Sequence, residues 1–140
     1  MNNARTLLNF MHIAEHKQPA QLRILVVDDN EDALEMMGVL LTLDNHIVRT
    51  AFDGETAIKI APEFQPEVCI LDIGLPNMNG CELARRLRQM MPQVLLIALS
   101  GWGQDEDRRL SSEAGFDYHL VKPIEIEKLQ KLLTETRISE

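Results

Sequence analysis

From residue 22 onward, five short apolar runs alternate with five stretches of helical period, and nothing else in the 140-residue chain restricts its folding as much. The runs are 22–27, 46–51, 68–71, 94–99 and 118–121; the helical stretches are 31–43, 55–61, 80–90, 105–114 and 126–136. In the first of these stretches Leu34, Met37, Leu40 and Leu41 recur at the spacing of one buried helix face. Strands that each feed a helix call for a parallel sheet, since parallel neighbours need a crossover. Residues 68–71 and 94–99 are continuously apolar, as strands covered on both faces should be. Right-handed crossovers then place the helices in two layers. The predicted architecture is α/β, a doubly wound five-stranded parallel sheet with helices on both faces. Pro62 and Pro92 are expected to stop the second and third helices, because neither can donate a bond inside a helix.

In such folds ligands bind beyond the carboxyl ends of the strands. The residues at those ends are Asp28 and Asp29, Ala51 and Phe52, Asp72, Ser100 and Lys122, and four of the five positions carry polar or charged groups. Three carboxylates at one rim repel one another unless a hard cation joins them, and an oxygen-rich set with room for water suits magnesium. A carboxylate can also serve as a nucleophile through an aspartyl phosphate. Phosphoryl transfer needs alignment and charge stabilisation above all, which Lys122 and the Ser100 hydroxyl can supply.

The remainder of the chain narrows the field. A net charge of −8 argues against nucleic acid or an anionic membrane as partner. No apolar run approaches the ~20 residues of a membrane span and no signal peptide opens the chain, so a cytoplasmic protein is expected. Cys69 and Cys81 lack metal or redox spacing and are expected to pack as buried thiols. Residues 1–21 carry Leu7, Leu8 and Met11 at helical spacing before Pro19, which suits a short docking helix or, more simply, a frayed terminus.

The motifs L-V-V-D-D-N, C-I-L-D-I-G-L-P-N-M-N-G, I-A-L-S-G and H-L-V-K-P stand in the order and approximate spacing of the response-regulator receiver family, which the chain resembles over residues 22–137. Its flavour is similar to receivers associated with hybrid sensor histidine kinases. The resemblance implies a flavodoxin-like receiver fold, with 1–21 an arm and 138–140 a tail. It implies that Asp72 is the phosphoacceptor, that Asp29 binds Mg2+ directly and Asp28 through water, and that the Gly74 backbone carbonyl completes the metal shell. Ser100 matches the hydroxyl residue that moves toward the phosphoryl group; Lys122 matches the family's lysine, and Lys122–Pro123 a cis peptide bond. Such a domain is a signalling element rather than an enzyme, one that assists its own phosphorylation and dephosphorylation. A sensor histidine kinase or a histidine phosphotransfer protein is the expected donor. The output is expected through a downstream protein target rather than an attached DNA-binding domain, and the fourth helix, fifth strand and fifth helix are allowed a homodimer.

Two positions depart from the family. His119 stands where the family usually carries Tyr or Phe, and Tyr118, one residue away, points to the opposite face of the sheet. Asn79 stands where Asp is frequent, yet still caps the third helix.

Plainer readings compete at each residue. Asp28 and Asp29 taken alone suit a helix cap; Ser100 suits a turn with Gly101; His119 suits packing, with pH sensing a lesser alternative. His12 and His16 share a helix face but are expected to be solvated, His46 is expected to be structural, and Trp102 suits either a partner contact or partial burial. A flavodoxin-like cofactor binder needs a phosphate cradle where Asp28-Asp29-Asn30 would repel phosphate. A hydrolase of the haloacid dehalogenase kind needs a D-x-D nucleophile after its first strand, which is missing. The remaining rival is a receiver fold used only for binding proteins.

Overall fold

The computed structural model describes residues 21–75, 79–101 and 105–139; the side chains of 105–108, 110 and 136–139 are outside that description. Residues 1–20, with His12 and His16, and Trp102 therefore lie outside the described residues. Five strands form one parallel sheet: β1 (Arg23–Val27), β2 (Ile47–Ala51), β3 (Val68–Asp72), β4 (Leu95–Ser100) and β5 (Tyr118–Val121), in the order β2-β1-β3-β4-β5. The helices are α1 (Glu31–Leu43), α2 (Gly54–Phe64), α3 (Gly80–Met90), α4 (Asp105–Ala114) and α5 (Ile126–Ser139). Residues 21–125 make one unit with the sheet and α1–α4, and α5 belongs to a second. Within α5, Leu129 and Leu133 are the fully buried side chains. The helix runs three residues past the expected end at 136.

The register shows how both faces of the sheet are used. Leu25 and Val27 of β1, Cys69 and Leu71 of β3, and Leu96 and Ala98 of β4 share one face and join a core with Ala57 and Ala61 of α2, Leu83 and Leu87 of α3, and Ala114 of α4. Complete burial of side chains such as Leu83 and Leu87 contributes about 1.5–3 kcal/mol each. The opposite face carries Ile24, Val26, Ile70 and Ile97, and α1 lies on it against Val48 and Thr50 of β2. The doubly wound expectation holds.

Three helix starts are capped alike: Asn30, Asp53 and Asn79 each accept a bond from the amide three residues on, at 3.0, 2.8 and 2.8 Å. The helix cap is thus Asn30, not the acidic pair before it. Met91 closes α3 one residue before Pro92, as expected. Pro62 does not stop α2, which continues to Phe64 and ends where Gln65 takes a left-handed φ of 51°. A proline ring already holds a helical φ, so in a last turn it removes one bond without turning the chain aside. Cys69 and Cys81 are buried and unbridged, and burial pushes the Cys69 thiol up to about 12, against a smaller opposing pull from Arg88.

At the amino end of β4, Arg88 ties α3 to the turns around it. Its guanidinium donates to the carbonyls of Pro92, Val94 and Gly115 and to Asp117 Oδ2 at 2.9 Å, an oxygen that also accepts the Leu96 amide at 2.8 Å. Lysine cannot reproduce such a planar fork. Because the ion pair is about one-third exposed, its charge is partly screened. Arg88→Lys is expected to lose about 1–2 kcal/mol, read as a lower urea midpoint at unchanged slope.

His46, just before β2, is buried, and its Nδ1 accepts the Leu22 amide at 3.1 Å. Nε2 has no hydrogen-bond partner among the described residues. Burial holds the imidazole below its ordinary value of 6.5, with the Asp44 and Glu67 charges pulling the other way. The unfolded chain therefore binds the proton first on acidification. His46 contributes full stability above pH 6.5 and loses it as pH falls through the depressed native value. Urea midpoints are expected to fall as the pH drops below 6.5, before most carboxylates titrate. His46→Asn should flatten that slope; an equal slope in the variant would assign it elsewhere.

Candidate functional site

The switch in strand order between β1 and β3 opens a crevice at their carboxyl ends. The sheet delivers its charged residues there one strand at a time. The Asp28 amide continues the ladder past β1 by donating to Ala51 O at 3.2 Å, which keeps this residue buried at 3% exposure. Its Oδ1 accepts the Asn30 amide at 3.0 Å and its Oδ2 accepts Lys122 Nζ at 2.8 Å. Asp72 is the last residue of β3, with Oδ1 accepting the Gly74 amide at 2.9 Å and Oδ2 accepting the same Lys122 ammonium at 3.0 Å. Asp29 faces solvent.

One oxygen from each of Asp28, Asp29 and Asp72 lies within 4.8 Å of the others. Carboxylates from residues 28, 29 and 72 are thus close enough to converge on one cation. Lys122 follows β5, its amide donating to Ser100 O at 2.8 Å, and its bond to Pro123 is cis. Burial works to lower the Lys122 pKa, but the hydrogen bonds it donates to Asp28 and Asp72, with their charges, outweigh it and hold the ammonium above its ordinary 10.5. One ammonium still faces three carboxylates. That excess of negative charge, on oxygen donors alone, fits a hard divalent cation.

Gly74 meets Asp72 through its amide, and a side chain there would begin 3.6 Å from Asp72 Oδ1. Ser100 closes β4, one residue beyond Leu99, the register partner of Asp72. The buried Ser100 hydroxyl lies 2.7 Å from His119 Nε2, and His119 Nδ1 lies 2.9 Å from Ser111 Oγ. The register explains the first contact: His119 pairs with Ala98 and so shares the face of Ser100, while Tyr118 pairs with Ile97 on the opposite face. Sequence reasoning marked His119 as a departure but missed its contacts with Ser100 and Ser111. Ser111 sits in α4 with no local signal, and only the packing of that helix could reveal it.

The response regulator receiver domain model matches residues 24–134. The chain belongs to the response regulator receiver family, a family of signalling domains of two-component systems. Among its relatives, the transcriptional regulatory protein PrrA of Mycobacterium leprae is 38% identical over 107 residues, covering 76% of this chain and 46% of PrrA. The chain thus spans about half the length of that relative. The chemotaxis protein CheY4 of Vibrio cholerae superposes with a TM-score of 0.78 at 28% identity, covering 83% of this chain and 98% of CheY4. The receiver domain of Ssk1 from Saccharomyces cerevisiae, crystallised with the histidine phosphotransfer protein Ypd1, shares the fold with a TM-score of 0.78 at 24% identity, over 84% of this chain and 90% of that one. Among the described residues no helix is long and apolar enough to cross a membrane.

Proposed function

We propose that residues 22–137 form a phosphoacceptor that takes a phosphoryl group from a histidine kinase or a histidine phosphotransfer protein onto Asp72. Residues 1–21 are then an arm and 138–140 a tail, and the domain works in the cytoplasm. The observation that carries this reading is the Lys122 ammonium bridging Asp28 and Asp72 beside three converging carboxylates. An Asp72 carboxylate oxygen attacks phosphorus, the new O–P bond forms as the N–P bond to the donor imidazole breaks, and the imidazole departs with the bonding pair. Lys122 holds the carboxylate in place and offers positive charge to the phosphoryl oxygens. The Gly74 amide fixes the carboxylate plane from the other side.

Asp29 and Asp72 directly, Asp28 through water and the Gly74 carbonyl would hold Mg2+. When bound, that ion neutralises charge on the incoming phosphoryl group. Ser100 donates its hydroxyl to a phosphoryl oxygen once the group is in place. Phosphorylation then biases two states of the face that includes α4 and β5, and a protein target reads the difference. The Ssk1 complex supports the donor side at the level of the fold, since that receiver was crystallised with a phosphotransfer protein. Incubation with acetyl phosphate and magnesium should add the mass of one phosphoryl group to the protein. No gain with any phosphodonor would leave a receiver fold that only binds proteins.

A further inference from the structure

Among the described residues, the large apolar side chains left exposed gather on one side of the sheet. Met36, Val39 and Leu43 lie on α1, Ile47 on β2 and Phe52 directly after it, while Met90 and Tyr118 lie elsewhere. Met36, Val39 and Leu43 recur at i, i+3 and i+7, a second apolar stripe on a helix whose first stripe, Leu34, Met37 and Leu41, is buried. At roughly 200 Å² for a whole residue of this size, half exposure of five leaves on the order of 500 Å² of apolar surface. A stable interface buries about 800 Å² on each partner, so this patch supplies more than half of one.

β2 is also an edge strand. The Ile47 amide donates to Leu22 O at 2.9 Å and Ala51 O accepts the Asp28 amide at 3.2 Å, so both residues turn their backbone toward β1. By alternation Val48 and Thr50 turn theirs outward, and the trans peptide after Ala51 aims the Phe52 amide the same way. The strand, Ile-Val-Arg-Thr-Ala, pairs with β1 in unbroken register and has none of the lysine, proline or bulge devices that guard such edges. Beside it Leu34, Gly38, Val39, Leu43, Val48 and Thr50 line an apolar groove.

We propose that this edge joins two copies of the chain by antiparallel pairing of β2 with β2 about Thr50. Pairing about Arg49 would set two guanidinium groups directly opposite each other, which is destabilising. Pairing about Thr50 sets Arg49 against Ala51 and Phe52 against Val48, an aromatic against a β-branched residue. The outward amides of Val48, Thr50 and Phe52 then meet outward carbonyls of the other copy. Phe52 of each copy arrives beside the groove of the other. One edge thus carries both knob and hole, as a two-fold interface requires, and this self-complementarity favours a second copy over an unrelated strand. The net charge of −8 opposes association, yet β2 itself has no acidic residue. Salt should therefore strengthen the dimer by screening the charge outside the seam.

The test is sedimentation velocity on the whole chain from micromolar to millimolar concentration. The average mass should rise from one chain toward two, and added sodium chloride should move that rise to lower concentration. Phe52→Ala should weaken the dimer about tenfold or more, as truncation of a central aromatic does. Thr50→Lys adds the missing guard at an exposed position and should leave a monomer with an unchanged circular dichroism spectrum. Tyr118→Ser, on the opposite edge strand, should leave the dimer intact. The register is read by oxidation: Thr50→Cys should cross-link to itself, whereas Val48→Cys should cross-link only when mixed with Phe52→Cys. The native Cys69 and Cys81 are buried and do not compete. A chain that stays monomeric at every concentration would overturn the proposal and leave the edge to a strand of another protein. A dimer that survives Phe52→Ala and Thr50→Lys but is lost in Tyr118→Ser would move the contact to β5 and overturn it equally.

Discussion

Asp72→Asn is expected to abolish uptake of a phosphoryl group from acetyl phosphate while leaving the fold in place. The amide is a far poorer nucleophile than the carboxylate, and no other described carboxylate combines the Lys122 contact with a position at the end of β3. Asn can keep the acceptor for the Gly74 amide, now made by Asp72 Oδ1. It also removes one of three negative charges gathered at the rim, so the lost contact with Lys122 is offset by relief of repulsion. Stability should therefore stay within about 1 kcal/mol of wild type. Intact-mass measurement checks the first expectation and urea denaturation the second. Chelating divalent cations should reduce uptake in the wild type as the substitution does. A variant that still gained the mass would place the acceptor on another side chain.

Gly80→Ala is expected to be among the most damaging substitutions for stability, although it adds a single methyl group. Gly80 opens α3, and its amide donates to Ile73 O at 3.1 Å, so the helix starts against the end of β3. A Cβ at this point would run into the carbonyl oxygen of Asp72 and lie 2.8 Å from Ile73 Cα. Those neighbours are backbone and cannot rotate away. The first turn of α3 must shift, and with it the carbonyl of the residue that carries the site. The expected cost is about 2–4 kcal/mol, a fall in Tm of roughly 10 °C. Gly38→Ala in α1 is the control: its Cβ would make an ordinary contact at 3.7 Å with Thr50 Cγ2 and should raise Tm slightly. Equal behaviour of the two variants would show that the approach of α3 to β3 relaxes without penalty.

Much of this fold was legible before any coordinates. Continuous apolar runs at 68–71 and 94–99 report double-sided burial, because a strand covered on both faces has no position for a charge. Asn79 could be read as a cap because a side-chain acceptor reaching the amide three residues on is a local event. Pro62 misled for a related reason. Its missing donor is local, but the end of α2 was set by the left-handed turn at Gln65, where Gln65 is also bonded to Pro62 O.

The order of strands and helices, and the residues standing at the strand ends, were determined by the sequence alone, since periodicity and chain direction decide both. Only tertiary structure decided that Lys122 bonds carboxylates 94 and 50 residues away, that Arg88 gathers four acceptors, and that His119 joins Ser100 to Ser111. The physical reason is range. Hydrophobic pattern and capping act within a turn or a strand, whereas a hydrogen bond between distant residues depends on register and helix placement to within a fraction of an ångström, which no local pattern encodes.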